Sequence, residues 1–262
     1  MNKQSLFLTL LIILAIVISS CTGLPADLPE SPNNAPQMSK QDIFVDYNTK
    51  LNQISPKEAW ETFKKEYGLP GEMKNGGAGV LWNENQDIPK YVVGFKSRKY
   101  PGSSQEVANS FLQEYGNLIK LQNNSLYFID TYKFNKENKI IYEQRYKNIQ
   151  VYGTSVQALI TSDGQVRQLS VDYYPNIELI ESKPGDNSEF KKAVTDFLIK
   201  AGLPAGSELN SFVASRKPEK FIYPMGKGSN IKFYSTLLYR LPEARLFLDA
   251  NSAEIVNVEQ LS

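Results

Sequence analysis

Histidine is absent from the 262 residues of the chain. Imidazole is the usual general base for serine and cysteine nucleophiles and a common zinc ligand, so its absence argues against such catalysis. Cysteine occurs once, at Cys21, so no intramolecular disulfide can form. An excess of one charge is missing too, since 29 basic and 28 acidic residues leave a formal charge of +1. We therefore predict a protein that is not an enzyme, has no catalytic, metal or cofactor site, and binds no nucleic acid.

A long apolar run occurs only at the N-terminus. Lys3 precedes the almost unbroken apolar stretch 6–18, which is shorter than the roughly 20 residues of a membrane span and suits a signal peptide. The stretch ends in Ile18-Ser19-Ser20-Cys21, which resembles the lipobox of bacterial lipoproteins. We predict a lipoprotein signal peptide at 1–20 and lipidation of Cys21, with palmitate among the acyl chains. The protein would then lie at the cell membrane, lipid-anchored and facing the extracytoplasmic side; an ordinary signal peptide or an uncleaved anchor helix is the alternative.

After Cys21 the composition predicts a tether followed by three capped helices. Residues 21–50 carry four prolines among small polar residues near their start, which favours an extended tether. Three segments then combine an N-cap side chain with a glutamate three residues later, and each precedes an apolar stripe at helical spacing. The pairs are Ser55 with Glu58, Ser103 with Glu106, and Asp186 with Glu189.

Strand signals follow the second and third helix starts. After the second, we predict strands at 126–134, 139–146, 149–161 and 165–173, with Asp163-Gly164 as a hairpin turn. After the third, we predict strands at 209–214, 220–223, 231–241, 245–249 and 254–258. A single helix on an antiparallel sheet buries the apolar side of both. The fold class is therefore predicted as α+β, with two consecutive helix-plus-antiparallel-sheet modules at 51–180 and 186–262, and 78–95 as possible leading strands of the first.

Both modules resemble known families. Ser104 to Pro175 is similar to the fungalysin/thermolysin propeptide motif, through Val107, Phe111 and Tyr115 and the run YEQRYKNIQVYGTSVQALITSDGQVRQLSVDYYP. Residues 188–260 resemble a PepSY domain, through SNIKFYSTLLYRL and RLFLDANSAEIVNV, with Ala253 where that family often has glycine. The resemblance implies cystatin-like modules that chaperone and inhibit a zinc peptidase. Because the sequence contains no His-Glu-x-x-His motif, it implies action in trans on a thermolysin-family metallopeptidase.

Two tyrosines are the candidate partner-binding residues. Tyr146 and Tyr152 flank the turn Lys147-Asn148-Ile149, where an aromatic pair could contact a partner; packing in the core is the alternative. The favoured function is a non-catalytic, lipid-anchored module that inhibits an extracytoplasmic metallopeptidase or assists its folding. The alternative is an envelope binding or scaffold lipoprotein with no protease partner.

Overall fold

A computed structural model of the chain describes residues 54–74, 76–83, 87–123, 125–180, 186–226 and 230–261. The predicted signal peptide, the tether and Cys21 lie outside the described residues. Within these residues the chain forms two compact units. The first contains 54–180 together with 220–235, and the second contains 186–219 together with 236–261.

Two capped helices form one layer of the first unit. Helix α1 spans Pro56–Tyr67, and α2 spans Ser104–Tyr115 and continues into a 3-10 helix at Gly116–Ile119. In α1 the Glu58 N–H donates to Ser55 Oγ over 3.2 Å, and the Ser55 N–H donates back to the Glu58 carboxylate over 2.8 Å. Ser103 and Glu106 make the same exchange at α2. Both predicted capping boxes are confirmed, and each satisfies backbone donors that a helix start leaves without intrahelical partners.

The second layer of the first unit is a seven-stranded antiparallel sheet. Its strands are β1 Gly79–Trp82, β2 Pro89–Val93, β3 Leu126–Phe134, β4 Glu137–Tyr146, β5 Ile149–Gln150, β6 Ser155–Thr161 and β7 Val166–Asp172. The order is β1-β2-β7-β6-β4-β3, and β5 pairs with the end of β4. One buried row of cross-strand neighbours crosses five strands, and its members are Val80, Val92, Leu169, Ala158 and Ile140. That row and the apolar faces of α1 and α2 belong to one hydrophobic core.

Aromatic rings fill the part of this core next to α1 and α2. Phe63 is fully buried, and its ring contacts Phe95 at a centroid distance of 4.9 Å and Phe111 at 6.2 Å, both edge-on. Tyr67 and Tyr115 join the same cluster, and their hydroxyls lie 2.6 Å apart. Edge-to-face pairs of this kind add stability beyond the area they bury.

The second unit contains two helices and most of a second sheet. Helix α3 spans Asn187–Lys200 and α4 spans Ser207–Ser215. The strands are β8 Glu219–Met225, β9 Lys232–Arg240, β10 Ala244–Asp249 and β11 Ile255–Gln260, in the order β11-β10-β9-β8. Residues 220–235, which contain most of β8 and the start of β9, group with the first unit. The core of the second unit buries Phe190, Val194 and Leu198 of α3 with Leu246 and Leu248 of β10.

Two details correct the sequence-based expectations. The strand predicted at 209–214 is wrong, because this stretch belongs to α4. Its inward-facing residues are Leu209, Phe212 and Val213, at i, i+3 and i+4, whereas Ser211, which a strand would place on the same face as Leu209, is exposed. The strand predicted at 149–161 is split into β5 and β6, because Gly153 between them has a φ of 73°. The α+β fold class with two helix-plus-antiparallel-sheet modules is confirmed; the first unit has the two helices predicted from Ser55 and Ser103, and the second has α4 in addition to the predicted α3.

Candidate functional site

The turn between β4 and β5 presents the first candidate tyrosine. Tyr146 pairs with Ile149 across the turn, and Lys147 and Asn148 between them have φ values of 50° and 64°. Two successive positive φ values are typical of the tight turn that matches the twist of a β-hairpin. Tyr146 is half-buried, and Lys147 Nζ lies 5.4 Å from the centroid of its ring. The turn therefore places an aromatic ring and a cation side by side at the end of the sheet.

A polar cluster supports this turn from β3 and β4. The Tyr127 hydroxyl donates to Asn148 Oδ1 over 2.6 Å. The Arg145 guanidinium lies 4.1 Å from the centroid of the Tyr127 ring and donates to Glu143 Oε1 over 2.6 Å. Tyr127 and Glu143 are buried. Because charge-assisted bonds and a buried hydroxyl bond fix side-chain positions, the cluster holds the turn in one conformation.

The second candidate tyrosine contacts a strand of its own chain. The Tyr152 N–H donates to the carbonyl of Ile222 over 2.8 Å, next to a parallel bridge between Val151 and Ile222. The Tyr152 ring stacks on Tyr223 at 5.6 Å and meets Phe221 edge-on at 5.7 Å. Tyr152 is half-buried. Both of these aromatic contacts are thus supplied by β8.

A small separate core lies beneath Tyr152. It buries Val151, Ile177, Ile222 and Phe233, with Tyr146 among the half-buried residues that pack on it. Tyr174 meets Phe233 edge-on at 5.2 Å, and burial together with the Asp172 charge raises the pKa of the Tyr174 phenol. Tyr146 and Val151, the residue before Tyr152, therefore contact the same small core.

Gln144 ties β4 to the chain segment that enters this core. Its side-chain Nε2 donates to the carbonyl of Tyr174 over 2.6 Å, and its Oε1 accepts from the Tyr174 N–H over 2.9 Å. Only 2% of Gln144 is exposed. A buried primary amide can satisfy one donor and one acceptor at once, so Gln144 substitutes for a backbone strand partner at this point.

One face of the seven-stranded sheet is open to solvent; we call it the outer face. Cross-strand pairing aligns its residues in rows that run over five or six strands, and their side chains are half-buried or exposed. The two central rows are Leu81, Tyr91, Ser170, Gln157, Ile141 and Asp130, and Val93, Gln168, Leu159, Lys139 and Tyr132. Leu81 is 43% exposed and Tyr132 is 56% exposed. The outer face is a broad surface of hydroxyl, amide and apolar groups, with a carboxylate and an ammonium among them.

Comparisons with known proteins give one structural likeness to report. The chain is similar to the C-terminal domain of Bacillus megaterium YpeB. The identity is 16% with a TM-score of 0.33, over 66% of this chain and 72% of that one. No protein-family model and no curated protein matches the chain.

The described part of the chain offers neither a metal-binding cluster nor a membrane-spanning helix. Those residues contain no group of three or more aspartate, glutamate, cysteine or histidine side chains arranged to hold a metal ion. In the same residues, every helix is too short or too polar to span a membrane. Binding of a partner by Tyr146 and Tyr152 and lipidation of Cys21 both stay predictions.

Sequence reasoning missed the aromatic residues that surround Tyr152. Phe221 and Tyr223 are about seventy positions further along the chain, and only the fold brings them to Tyr152. The signal that was present is the alternation Phe-Ile-Tyr at 221–223, which is typical of a strand with one aromatic face. That pattern predicts the strand, but it does not predict that the strand lies beside Val151 and Tyr152.

Proposed function

We propose that the chain is a non-catalytic, lipid-anchored propeptide-like module that binds an extracytoplasmic metallopeptidase in trans. Binding would inhibit the peptidase or assist its folding. The sequence motif at 18–21 supports the membrane anchor, and the two resemblances described above support the class of partner. The observation that carries the binding role is the outer face of the first unit, which is large, ordered and open.

The composition of the outer face suits a protein partner. Leu81 and Tyr132 are large apolar side chains with about half of their surface in water, and burying such groups is the main driving force of association. The neighbouring hydroxyl and amide groups can form the polar contacts that fix orientation. Asp130 and Lys139 carry opposite charges, so the face does not select a strongly charged ligand.

The candidate tyrosines differ in how a partner could reach them. Tyr146 is half-buried at the turn after β4, where it packs on the small core around Val151 and keeps part of its ring exposed. Tyr152 already stacks with Tyr223 and Phe221. We therefore expect Tyr146 to contact a partner directly, whereas Tyr152 would act by holding β8 against the Val151 region.

Inhibition of a mature thermolysin-family peptidase tests the proposal. The full chain in mild detergent would be titrated against the enzyme, with peptide hydrolysis, binding and recovery of refolded enzyme as readouts. We expect saturable inhibition, or an increased yield of refolded enzyme. Leu81→Ser on the outer face should weaken the effect about fivefold, as expected for losing about 1 kcal/mol of apolar burial.

Ile255→Ser is the matched control, because Ile255 is 42% exposed and lies in the second unit. It should leave the effect unchanged. A chain that neither binds, nor inhibits, nor helps to refold the enzyme would overturn the proposal and favour an envelope scaffold role.

The anchor has its own test. Cells expressing the full chain would be labelled with a palmitate analogue, and the label should appear in the wild-type protein and disappear in Cys21→Ser. Equal labelling of both proteins, or labelling of neither, would contradict lipidation at Cys21.

A further inference from the structure

A cleft on the first unit is lined by both tryptophans of the chain. Its volume is about 540 Å³. Trp60 comes from α1 and Trp82 from the end of β1, and the chain contains no other tryptophan. The remaining lining residues are Lys57, Glu58, Glu61, Lys64, Gly71 and Glu72. A volume of this size falls within the range of about 300 to 1,000 Å³ that small-ligand sites occupy.

Both walls of the cleft are held by backbone structure. One wall is α1, which begins in a complete capping box. The other wall contains Gly71 and Glu72. Two backbone hydrogen bonds, one on each side of Glu72, attach this segment to β1. The Val80 N–H donates to Gly71 O over 3.0 Å, and the Met73 N–H donates to Val80 O over 2.7 Å. The cleft is therefore preorganised, so a ligand would pay little ordering entropy on binding.

Within the part of the chain that the structure describes, two of the three carboxylates that line the cleft, those of Glu58 and Glu72, have no basic partner. Lys64 forms an ion pair with Glu61 at 2.6 Å, and Lys57 forms one with Asp87 at 3.2 Å. The Glu58 carboxylate accepts the Ser55 N–H in the capping box. Among the described residues, no basic side chain lies within ion-pair distance of the exposed Glu72 carboxylate.

From this arrangement we propose that the cleft binds a cationic side chain of a peptide, an arginine or a lysine on its apolar stem. An indole ring is the best cation–π partner among side chains, and Glu72 supplies the opposite charge. The apolar stem of such a side chain would lie against Trp82, which is half-buried, whereas Trp60 is 3% exposed and belongs to the core beneath the cleft. This inference does not depend on the proposed metallopeptidase partner or on the outer face.

The chain supplies its own reporter for the test. Because both tryptophans line the cleft, selective excitation of tryptophan reports on the cleft without interference from other indoles. The full chain in mild detergent would be titrated with acetyl-Gly-Arg-Gly-amide, and with the same peptide carrying citrulline, which keeps the shape of arginine without its charge. We expect a saturable change for the arginine peptide with millimolar affinity, and about tenfold weaker binding for the citrulline peptide.

Two glutamate variants separate the cleft from general charge effects. Glu72→Gln should weaken the arginine peptide about threefold, as expected for one exposed ion pair. Glu178→Gln removes an equal charge from an exposed position outside the cleft, and should leave affinity unchanged. Circular dichroism of both variants checks that the fold is retained.

Three outcomes would overturn the proposal. The first is the absence of any saturable tryptophan change with the arginine peptide. The second is equal affinity for the arginine and citrulline peptides, which would make the cleft an apolar groove without charge selection. The third is an equal loss of affinity in Glu72→Gln and Glu178→Gln, which would assign the effect to net charge.

Discussion

Replacing Gln144 with glutamate should make the stability of the protein depend on pH in a defined direction. In Gln144→Glu the group facing the Tyr174 carbonyl changes from an N–H donor to an oxygen. Above neutral pH that oxygen is part of a carboxylate, so the 2.6 Å bond is lost and two acceptors face each other. The bond from the Tyr174 N–H to the other oxygen can persist.

The expected size follows from burial. An unsatisfied buried polar group costs about 1 to 3 kcal/mol, and burial of the new charge adds to this, so the loss should be about 3 kcal/mol at about pH 7.5. A protonated carboxyl can donate its O–H to the Tyr174 carbonyl, so the loss should fall to about 1 kcal/mol at about pH 4. Burial raises the folded-state pKa of the introduced carboxyl above its unfolded value of about 4.3. The stabilising contribution is therefore fully present below the unfolded pKa and is lost as pH rises through the folded pKa.

Urea unfolding of wild type and variant at both pH values provides the measurement. Gln157→Glu is the matched control, because Gln157 is half-exposed on the outer face and should change stability by no more than about 0.5 kcal/mol at either pH. A loss for Gln144→Glu that is the same at both pH values would refute the reasoning. So would a variant as stable as wild type at about pH 7.5.

Three further predictions concern the first unit. Ser103→Ala should cost about 1 kcal/mol in urea unfolding, because it removes the acceptor of the Glu106 N–H, and unchanged stability would contradict this. The Ser103 backbone N–H, which alanine keeps, is the main cause of the lowered pKa of Glu106. That part of the cap stabilises above the unfolded pKa of the carboxyl and is lost as pH falls through the folded value, in wild type and variant alike. Gly164→Ala should cost about 1 to 2 kcal/mol in the same assay, because Gly164 has a φ of 79° and an added Cβ would lie 2.7 Å from the Tyr100 carbonyl; unchanged stability would contradict the close approach. Burial raises the pKa of the Tyr100 and Tyr142 phenols. In an alkaline ultraviolet titration these two phenols should therefore ionise only as the protein unfolds at high pH, and their ionisation at the pH of free tyrosine would refute the prediction.

Local signals in the sequence account for much of the fold. Ser55, Ser103 and Asp186 each begin a helix, because a capping side chain acts on backbone groups only two or three residues away. Asp163-Gly164 forms the predicted turn for the same reason, since Gly164 accepts a positive φ without a Cβ. Helix α4 was missed because its nine residues carry two buried apolar positions, too few to separate helical from strand spacing.

The candidate sites depend on contacts that sequence spacing does not encode. Trp60 and Trp82 line one cleft because Gly71 and Glu72 bring the chain after α1 back against β1. Tyr152 meets Tyr223 because β8 lies beside Val151 in parallel. Both juxtapositions are set by tertiary packing, so neither aromatic pair could be identified before the fold was known.

Because residues 220–235 belong to the first unit, that unit is completed only late in synthesis. During translation, residues 54–180 leave the ribosome first, and the strand that covers Val151 is made only after the two helices at 187–215. Until then Val151 and Ile177 lack Ile222 and Phe233, which complete their core in the finished protein. The nascent chain therefore exposes a hydrophobic patch for the time needed to translate about forty residues. A chaperone that shields this patch would act within that interval. A ribosome-stalled chain ending at 219 should bind a hydrophobic dye more strongly than one carrying 220–235, and equal binding would show that the patch is covered by other means.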